Sequence, residues 1–250
     1  MDKTRAYNLR DRAYFLHASE LQTLLEVGTF RAIAARDLAR ISYGGDTQRM
    51  EREIRRLREQ SLLSERIVRT GRHRTTRLLA LTRTGARLAR SSGALKQGQI
   101  LHQGFVKPRE AKHDADLYRL YHAEAKRIEK AGGRPVRVVL DYELKRSLNR
   151  DLAALPPEEQ SAEEREHIAE RHGLAFVNGK IPVPDLRIEY DTSDMERKHI
   201  DLELATRNYR PRALADKARA GFSLYAARQD AQRLRRVLDQ REITAEILTL

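Results

Sequence analysis

The sequence predicts an α+β protein of two domains, the first mainly helical and the second built around a mixed central sheet. Three observations predict this. Helical spacing of apolar residues near the start gives way to two runs of β-type residues that meet at a basic turn. From residue 111 onward, short apolar runs alternate with helical segments. Residues 1–110 hold 23 Lys and Arg against 11 Asp and Glu, whereas the remainder is close to neutral.

The charge favours a polyanionic partner. The 250 residues carry a formal net charge of +13, and since the excess lies in residues 1–110, we expect nucleic acid to bind there. The chain has no cysteine, which excludes disulfides and thiolate zinc sites. The opening residues lack the apolar region of a signal peptide, and no apolar run approaches the ~18 residues of a membrane span. We therefore expect a cytoplasmic protein without membrane attachment.

Three helices are expected first. One begins at Ala18, a second lies in RAIAARDLARISYG and ends at a pair of glycines, and the third is TQRMEREIRRLREQSLL. In the third helix Met50, Ile54 and Leu57 recur at i, i+4 and i+7 and so face inward. The polar and basic side chains left on its outer face are Gln48, Arg49, Arg52, Arg55 and Arg56.

A β-hairpin is expected next, in LLSERIVRTGRHRTTRLLALT, with its turn around Gly71. Three helices and a hairpin are the order of a winged helix-turn-helix, in which the third helix enters the major groove and the hairpin lies along the backbone or minor groove. The basic residues of the hairpin are Arg69, Arg72, His73, Arg74 and Arg77. The phrase LALTRTG at 79–85 resembles the same junction in many bacterial winged-helix regulators. Residues 1–92 are therefore predicted to bind double-stranded DNA.

An alternative explanation of the arginines stays open at this point. Arg-rich amphipathic helices are often solvated faces in which carboxylates pair with the cations, and Glu51, Glu53 and Glu59 are suited to this role.

The second domain is expected over 111–250, after a glycine-containing linker at 93–110. Its first strand is predicted in PVRVVLDYEL, and one helix is predicted over YRPRALADKARAGFSLYAARQ. With a charged helix at 156–172 set aside as an insertion, the element order is αβββαβ. The Arg-rich helix RQDAQRLRRVLDQRE has an apolar face, which favours packing against the sheet over separate DNA binding.

Carboxylates alternate with apolar residues in two of these strands. Asp185 lies on the strand face opposite Leu186, and Asp201 and Glu203 lie on the face opposite Leu202. Three carboxylates on one side of neighbouring strands repel each other unless a cation or a basic partner offsets the charge. The pattern predicts Mg2+ or Mn2+ bound by Asp185, Glu203 and Asp201, where the metal orients water against a phosphate. The alternative is pairing of these carboxylates with Arg187, Arg207 or Arg210.

The αβββαβ order, the PD at 184–185 and the acidic alternation resemble the restriction-endonuclease-like superfamily, the PD-(D/E)xK nucleases. If Glu203 is the motif acid, Ala205 occupies the lysine position and Lys217 on the following helix replaces the lysine. In the other register Asp201 is the acid and Glu203 takes the lysine position. The residues that the resemblance implies as catalytic are Asp185, Glu203, Lys217, Asp201 and, from the first helix, Glu124.

A winged helix before a nuclease-like core, with Lys217 and Tyr225 after the glutamate strand, resembles the replication-relaxation family of plasmids and conjugative elements. The resemblance covers nearly the whole chain, although the Asp common shortly after the strand glutamate is absent. It implies a DNA-binding protein of a mobile element that acts in replication, mobilisation or transcriptional control, with other DNA-processing proteins as partners. Many winged-helix proteins dimerise, which favours a homodimer. A non-cleaving nuclease-like domain and a Mg2+-dependent endonuclease targeted by its winged helix both stay open.

Overall fold

The computed structural model describes residues 4–9, 12–69, 75–105, 108–156, 161–206 and 208–250. The chain divides into two compact units, Met1–His122 and Ala123–Leu250. The expected mixed α+β class is confirmed. No helix within the described ranges combines the length and the apolar character needed to cross a membrane.

The first unit combines a helical core with two small sheets. Its helices are α1 (Ala18–Thr29), α2 (Ala35–Ile41), α3 (Thr47–Glu59), α4 (Arg83–Ser91) and the first part of α5 (Pro108–Lys130). Its strands are β1 (Arg5–Leu9), β2 (Arg12–Leu16), β3 (Ile33–Ala34), β4 (Leu63–Arg69) and β5 (Thr75–Leu81). Strands β1 and β2 form an antiparallel pair, and β3, β5 and β4 form a second antiparallel sheet in that order.

The predicted succession of three helices and a hairpin is present, and the pair β1 and β2 is an addition that the sequence pattern did not indicate. The strands are short, and only Tyr14 and Leu16 of β2 are fully buried. Because so few of their side chains are apolar and inward-facing, the alternation is too weak to predict a strand.

A glycine and a threonine fix the junction between β5 and α4. The Thr82 hydroxyl accepts the Gly85 N–H at 3.0 Å and donates to the Ser61 carbonyl at 2.6 Å, so this side chain both caps α4 and ties it to the end of α3. A Cβ on Gly85 would lie 2.0 Å from the Leu62 carbonyl oxygen, which leaves room for glycine alone. These contacts explain why threonine and glycine stand at positions 82 and 85 of the junction.

The predicted linker is partly packed against the first unit. Leu101 is buried, and its carbonyl accepts a hydrogen bond from Arg90 at 2.7 Å. The His102 N–H donates to the Gly28 carbonyl at 2.7 Å. Helix α5 then runs without a break from Pro108, and the boundary between the two units falls inside it, after His122.

The second unit is built on a five-stranded mixed sheet. Its strands are β6 (Arg134–Leu140), β7 (Leu186–Asp191), β8 (Arg197–Ala205), β9 (Ser223–Ala226) and β10 (Ile247–Thr249). Its helices, besides the end of α5, are α6 (Asp141–Ala153), α7 (Ala162–Arg171), α8 (Pro211–Arg219) and α9 (Arg228–Asp239). The strand order is β10, β9, β8, β7, β6. Strand β7 is antiparallel to both β6 and β8, whereas β9 is parallel to both β8 and β10.

Two predicted elements are wrong in extent. The strand expected over PVRVVLDYEL ends at Leu140, because the Glu143 carboxylate accepts the Leu140 N–H at 3.4 Å and starts α6. The helix expected over YRPRALADKARAGFSLYAARQ ends before Gly221, whose φ of +80° is a left-handed conformation that suits glycine. The SLYA segment then joins the sheet as β9.

The two faces of this sheet are covered by different helices. On one face Ala205 of β8 and Leu224 of β9 pack with Leu214 of α8 and with Leu234 and Leu238 of α9. Alternation of the strands places Leu202, Leu204 and Tyr225 on the other face. The Tyr225 hydroxyl bonds to Glu124 of α5 there.

Candidate functional site

Helix α3 carries the first candidate site, and its cap and apolar stripe decide which side chains face outward. The Asp46 carboxylate accepts the Arg49 backbone N–H at 2.9 Å and caps the helix. Met50, Ile54 and Leu57 are buried, as their spacing predicts. The opposite stripe of the helix is exposed and contains Gln48, Arg52 and Arg55.

One flank of α3 is held by carboxylates that are buried beside α1. Glu20 of α1 is fully buried and forms an ion pair with Arg56 at 3.2 Å. Glu53 accepts hydrogen bonds from Ser19 at 3.0 Å and from Arg49 at 2.9 Å. Burial raises the pKa of Glu20, while a backbone hydrogen bond and Arg56 act in the opposite direction. Arg49 and Arg56, both predicted to bind DNA, are therefore engaged within the fold.

The other flank of α3 is held by the hairpin. Arg77 of β5 donates to Glu51 of α3 and pairs with Glu65 of β4 at 2.8 Å. Arg58, in the last turn of α3, pairs with the same Glu65 at 3.1 Å. Arg77, predicted to contact DNA from the hairpin, thus joins the hairpin to α3.

The central arginines of α3 differ from those on its flanks. Neither Arg52 nor Arg55 forms an ion pair with any residue that the structure describes, and both are exposed. Arg69 at the end of β4 is likewise exposed and without an ion pair in the described ranges. The predicted contacts Arg72, His73 and Arg74 lie outside the described residues.

A groove beside α3 adds two basic residues that the sequence reasoning missed. It has a volume of about 430 Å³ and lies among α2, α3 and β5. Arg36 and Arg40 of α2 line it, with side chains 70% and 68% exposed. Both pair weakly with Asp37, at 3.8 and 3.6 Å. The signal was present in the sequence, since two arginines at i and i+4 share one helix face.

The second candidate site is the cluster of carboxylates in the second unit, and the structure brings Asp185 and Glu203 together. The Asp185 N–H donates to the Glu203 carboxylate at 3.3 Å, and the Leu204 N–H donates to the Asp185 carboxylate at 2.9 Å. Glu203 is 1% exposed. Asp185 directly precedes β7, so a bend rather than strand alternation places it beside Glu203 of β8. The catalytic role of the two acids stays a prediction.

Lys217 and Tyr209 complete the cluster around Glu203. The Lys217 ammonium donates to one Glu203 oxygen at 2.8 Å and also to the Val183 carbonyl, and the Tyr209 hydroxyl donates to the other Glu203 oxygen. Burial and the neighbouring Asp185 raise the pKa of Glu203, and Lys217 opposes the shift. Sequence reasoning included Lys217 but missed Tyr209, which no motif places there.

Asp201 is engaged elsewhere on the same strand. Arg187 of β7 binds both Asp201 oxygens, at 2.7 and 2.8 Å, and both side chains are buried. The Arg187 guanidinium also donates to the His172 and Gly173 carbonyls at 2.7 and 2.8 Å. A bidentate pair of this kind satisfies the charge of Asp201 without a cation.

Glu124 lies on the other face of the sheet. It accepts a hydrogen bond from Tyr225, which alternates with Leu224 and so faces away from Glu203. The structure therefore does not bring Glu124 to the pair of Asp185 and Glu203.

The donor set, as arranged, does not fit Mg2+ or Mn2+. Both Glu203 oxygens accept hydrogen bonds from Tyr209 or Lys217, and the Asp201 charge is offset by Arg187. In the described part of the chain no group of three or more His, Asp or Glu side chains is arranged to hold a metal ion. Mg2+ and Mn2+ bind through several oxygens at once, and of the three predicted ligands only Asp185 and Glu203 lie together, while Asp201 is paired with Arg187.

No protein-family model and no curated protein matches the chain. Similar solved structures include the crystal structure of Bacillus subtilis PadR in complex with operator DNA, at 14% identity and a TM-score of 0.25. The match covers 61% of this chain and 92% of that one. At this TM-score the likeness carries no argument about the fold or the function of the chain.

Proposed function

We propose that the protein binds double-stranded DNA through its first unit, which acts as a winged helix-turn-helix with α3 in the major groove. The observation that carries this proposal is that α3 has two kinds of arginine, those paired with carboxylates on its flanks and those unpaired along its centre. The charged residues on its flanks form ion pairs with α1 and with the hairpin. Arg52 and Arg55 face outward without a carboxylate partner in the described chain. A solvated, charge-balanced face would pair its central arginines as well.

The exposed stripe has the chemistry of a base-reading surface. Arginine binds the O6 and N7 acceptors of guanine through two parallel hydrogen bonds, and glutamine binds adenine N6 and N7. Gln48, Arg52 and Arg55 lie at i, i+4 and i+7, so they follow one line along the helix. We infer a target that presents guanine to the two arginines and adenine to Gln48.

Phosphate contacts come from the surroundings of α3. Arg36 and Arg40 line the groove beside the helix, and Arg69 points out from the hairpin. The predicted contacts Arg72 and Arg74, outside the described residues, are further cations in this proposal. Such contacts position the protein without reading sequence.

The test is selection of preferred duplexes from a random pool by the full chain. Arg52→Lys and Arg55→Lys keep the charge but lose the bidentate geometry, so each variant should lose its guanine preference at one position. Arg69→Lys is the matched control and should keep the wild-type preference. The proposal fails if the wild-type chain selects no sequence and binds no duplex, or if both α3 variants select the wild-type motif.

For the second unit we propose a restriction-endonuclease-like fold that does not cut DNA. The antiparallel and parallel pairing of β6 to β9, with Asp185 and Glu203 side by side, supports the fold. The saturation of Glu203 by Lys217 and Tyr209 supports the absence of cleavage.

The alternative is a Mg2+-dependent endonuclease that uses Asp185, Glu203 and Lys217. One observation favours it, namely that Asp185 and Lys217 both contact Glu203. Supercoiled plasmid incubated with the chain and Mg2+ or Mn2+ distinguishes the two. We expect no nicking. Metal-dependent nicking that is lost in Asp185→Ala would establish the endonuclease instead.

Membership of the replication-relaxation family, a role in plasmid replication, mobilisation or transcriptional control, a homodimer and a cytoplasmic location stay predictions. They rest on the sequence resemblance and on the charge pattern.

A further inference from the structure

Helix α9 of the second unit repeats the surface pattern of α3. Its inner face is buried through Ala231, Leu234 and Leu238. Its outermost stripe is exposed, follows the spacing i, i+4, i+7 and i+11, and consists of Gln229, Arg233, Arg236 and Gln240. Helix α3 has Gln48, Arg52 and Arg55 at the first three of the same steps.

The cations of this stripe are not used by the fold. In the part of the chain that the structure describes, neither Arg233 nor Arg236 forms an ion pair, although Asp230 and Asp239 belong to the same helix. Arg235, on the flank of the stripe, does have a structural contact, since it donates to the Ile247 carbonyl of β10 at 3.0 Å. The same division between a flank engaged in the fold and an unpaired centre is seen on α3.

We propose that the outer stripe of α9 is a second surface for double-stranded DNA. Residues 228–241 contain five arginines and two aspartates, so the charge of the segment complements a polyanion. Arginine and glutamine side chains both donate hydrogen bonds to phosphate oxygens. Helix α9 is thus more than the sheet-packing element that its apolar face predicts.

Two features favour duplex DNA over other nucleic acids. Residues 228–241 have no aromatic side chain, and single strands are usually held by stacking of bases on aromatic rings. An α-helix fits the major groove of B-form DNA, whereas the major groove of A-form RNA is too narrow for it. All residues of this stripe belong to the second unit, so the proposal goes beyond the proposed function of the first unit and rests on different observations.

The test compares two double variants of the full chain that remove equal charge from the same segment, residues 228–241. Arg233→Gln with Arg236→Gln removes the cations of the stripe, and Arg228→Gln with Arg241→Gln removes exposed arginines outside it. Duplex affinity is measured by fluorescence anisotropy over a range of salt concentrations. We expect the stripe variant to bind about tenfold more weakly and to lower the salt slope by about 0.9 for each lost phosphate contact. The control should change affinity by less than about twofold.

Three results would overturn the proposed DNA surface on α9. The first is an equal loss of affinity in both double variants, which would show a general effect of charge. The others are unchanged affinity of the stripe variant and tighter binding of the chain to duplex RNA than to duplex DNA. A third variant, Arg52→Gln with Arg55→Gln, separates the two proposals. If that variant loses duplex binding while the α9 stripe variant keeps it, only the α9 inference fails. If the reverse holds, the proposed role of α3 fails and the α9 surface stands.

Discussion

Arg49 and Arg52 lie three residues apart on α3, and both were predicted to bind DNA. Arg49 is engaged by Glu53, whereas Arg52 has no ion pair in the described residues. Helical spacing places both on the outer surface, but it does not show that α1 and Ser19 hold Glu53 within reach of Arg49. The choice between a structural and a ligand-binding arginine is therefore made by residues distant in sequence.

The buried Glu20 gives a pH-dependent stability that can be measured. Burial raises its pKa above the ordinary value of 4.5, so the carboxyl binds a proton more readily in the folded than in the unfolded state. The stability from this group is fully present below pH 4.5 and is lost as the pH rises through the raised pKa. Glu20→Gln retains an acceptor for the His17 N–H but does not titrate.

Denaturant unfolding at pH 4 to 7 should therefore show the Glu20→Gln variant gaining stability relative to wild type as the pH increases. Ser19→Ala, which leaves Glu20 in place, is the control and should keep the wild-type pH dependence. A difference between Glu20→Gln and wild type that is constant with pH would contradict the raised pKa.

For the buried pair of Arg187 and Asp201, we expect that removing one charge destabilises the fold more than removing both. Arg187→Met leaves the Asp201 carboxylate buried without its partner, and we expect a loss of about 3–5 kcal/mol in the free energy of unfolding. The double variant Arg187→Met with Asp201→Leu removes both charges and should recover much of that loss. Urea unfolding of the two single variants and the double variant gives the coupling. Additive losses would show that the pair is not coupled.

At the scale of elements, α3 is held on both sides by ion pairs and along its inner face by apolar packing. The pair of Arg56 with Glu20 fixes one side, and Arg77 with Glu51 fixes the other. An exposed helix presents a different stripe if it rotates about its axis, so these contacts determine which side chains face a ligand.

At the junction that starts α4, we expect a Gly→Ala substitution to change stability in the opposite direction to that expected from helix propensity. In an ordinary helix Gly→Ala stabilises by up to about 1 kcal/mol. At Gly85 the added methyl would meet the Leu62 carbonyl, so we expect Gly85→Ala to destabilise by about 2 kcal/mol or more. Arg87→Ala, at an exposed position of α4, should change stability by less than about 0.5 kcal/mol in the same thermal unfolding measurement. A Gly85→Ala variant more stable than wild type would contradict the expected clash with the Leu62 carbonyl.

Two elements of the second unit show why local patterns were insufficient. The run VRVVL continues into Asp141 and Glu143, which favour a helix start, yet the apolar residues before and after them suggested one strand. The SLYA segment after Gly221 has helix formers on both sides, and pairing with β8 and β10 makes it a strand. In both cases the deciding interaction is a contact rather than a propensity.

At the scale of the whole molecule, charge is the property that the sequence predicts most directly. Net charge of +13 depends on composition alone, and its concentration in the first 110 residues indicated where a polyanion binds. The number of cations available to that partner depends on how many of them form ion pairs within the fold, and only the structure shows those ion pairs.

Binding to duplex DNA should weaken steeply with salt. Arg36, Arg40 and Arg69 around the groove and hairpin, with Arg52 and Arg55, give several sites for phosphate or base contact. With a contribution of about 0.9 for each neutralised phosphate, the slope of log affinity against log salt should be about −3 or steeper. Titrations at several salt concentrations measure it, and a slope near zero would contradict an electrostatic interface.

Much of the candidate sites could be predicted because helix and strand periods place side chains on faces. Helical spacing placed Gln48, Arg52 and Arg55 on the exposed face of α3, and the expected contact of Asp185 with Glu203 is present although Asp185 lies just before β7. The partners of these residues could not be predicted in the same way. Tyr209 reaches Glu203 from a loop, and no periodicity describes a loop.

By itself, the sequence determined the α+β class, the order of most elements, the inner faces of the helices and the uneven distribution of charge. These follow from composition and from the periods of 3.6 and 2 residues, which are local properties. Only the tertiary structure decided which charges are neutralised: Arg187 against Asp201, Lys217 against Glu203, and the flanks of α3 against α1 and the hairpin. Ion pairing depends on distances between residues far apart in the chain, and those distances exist only once the chain is folded.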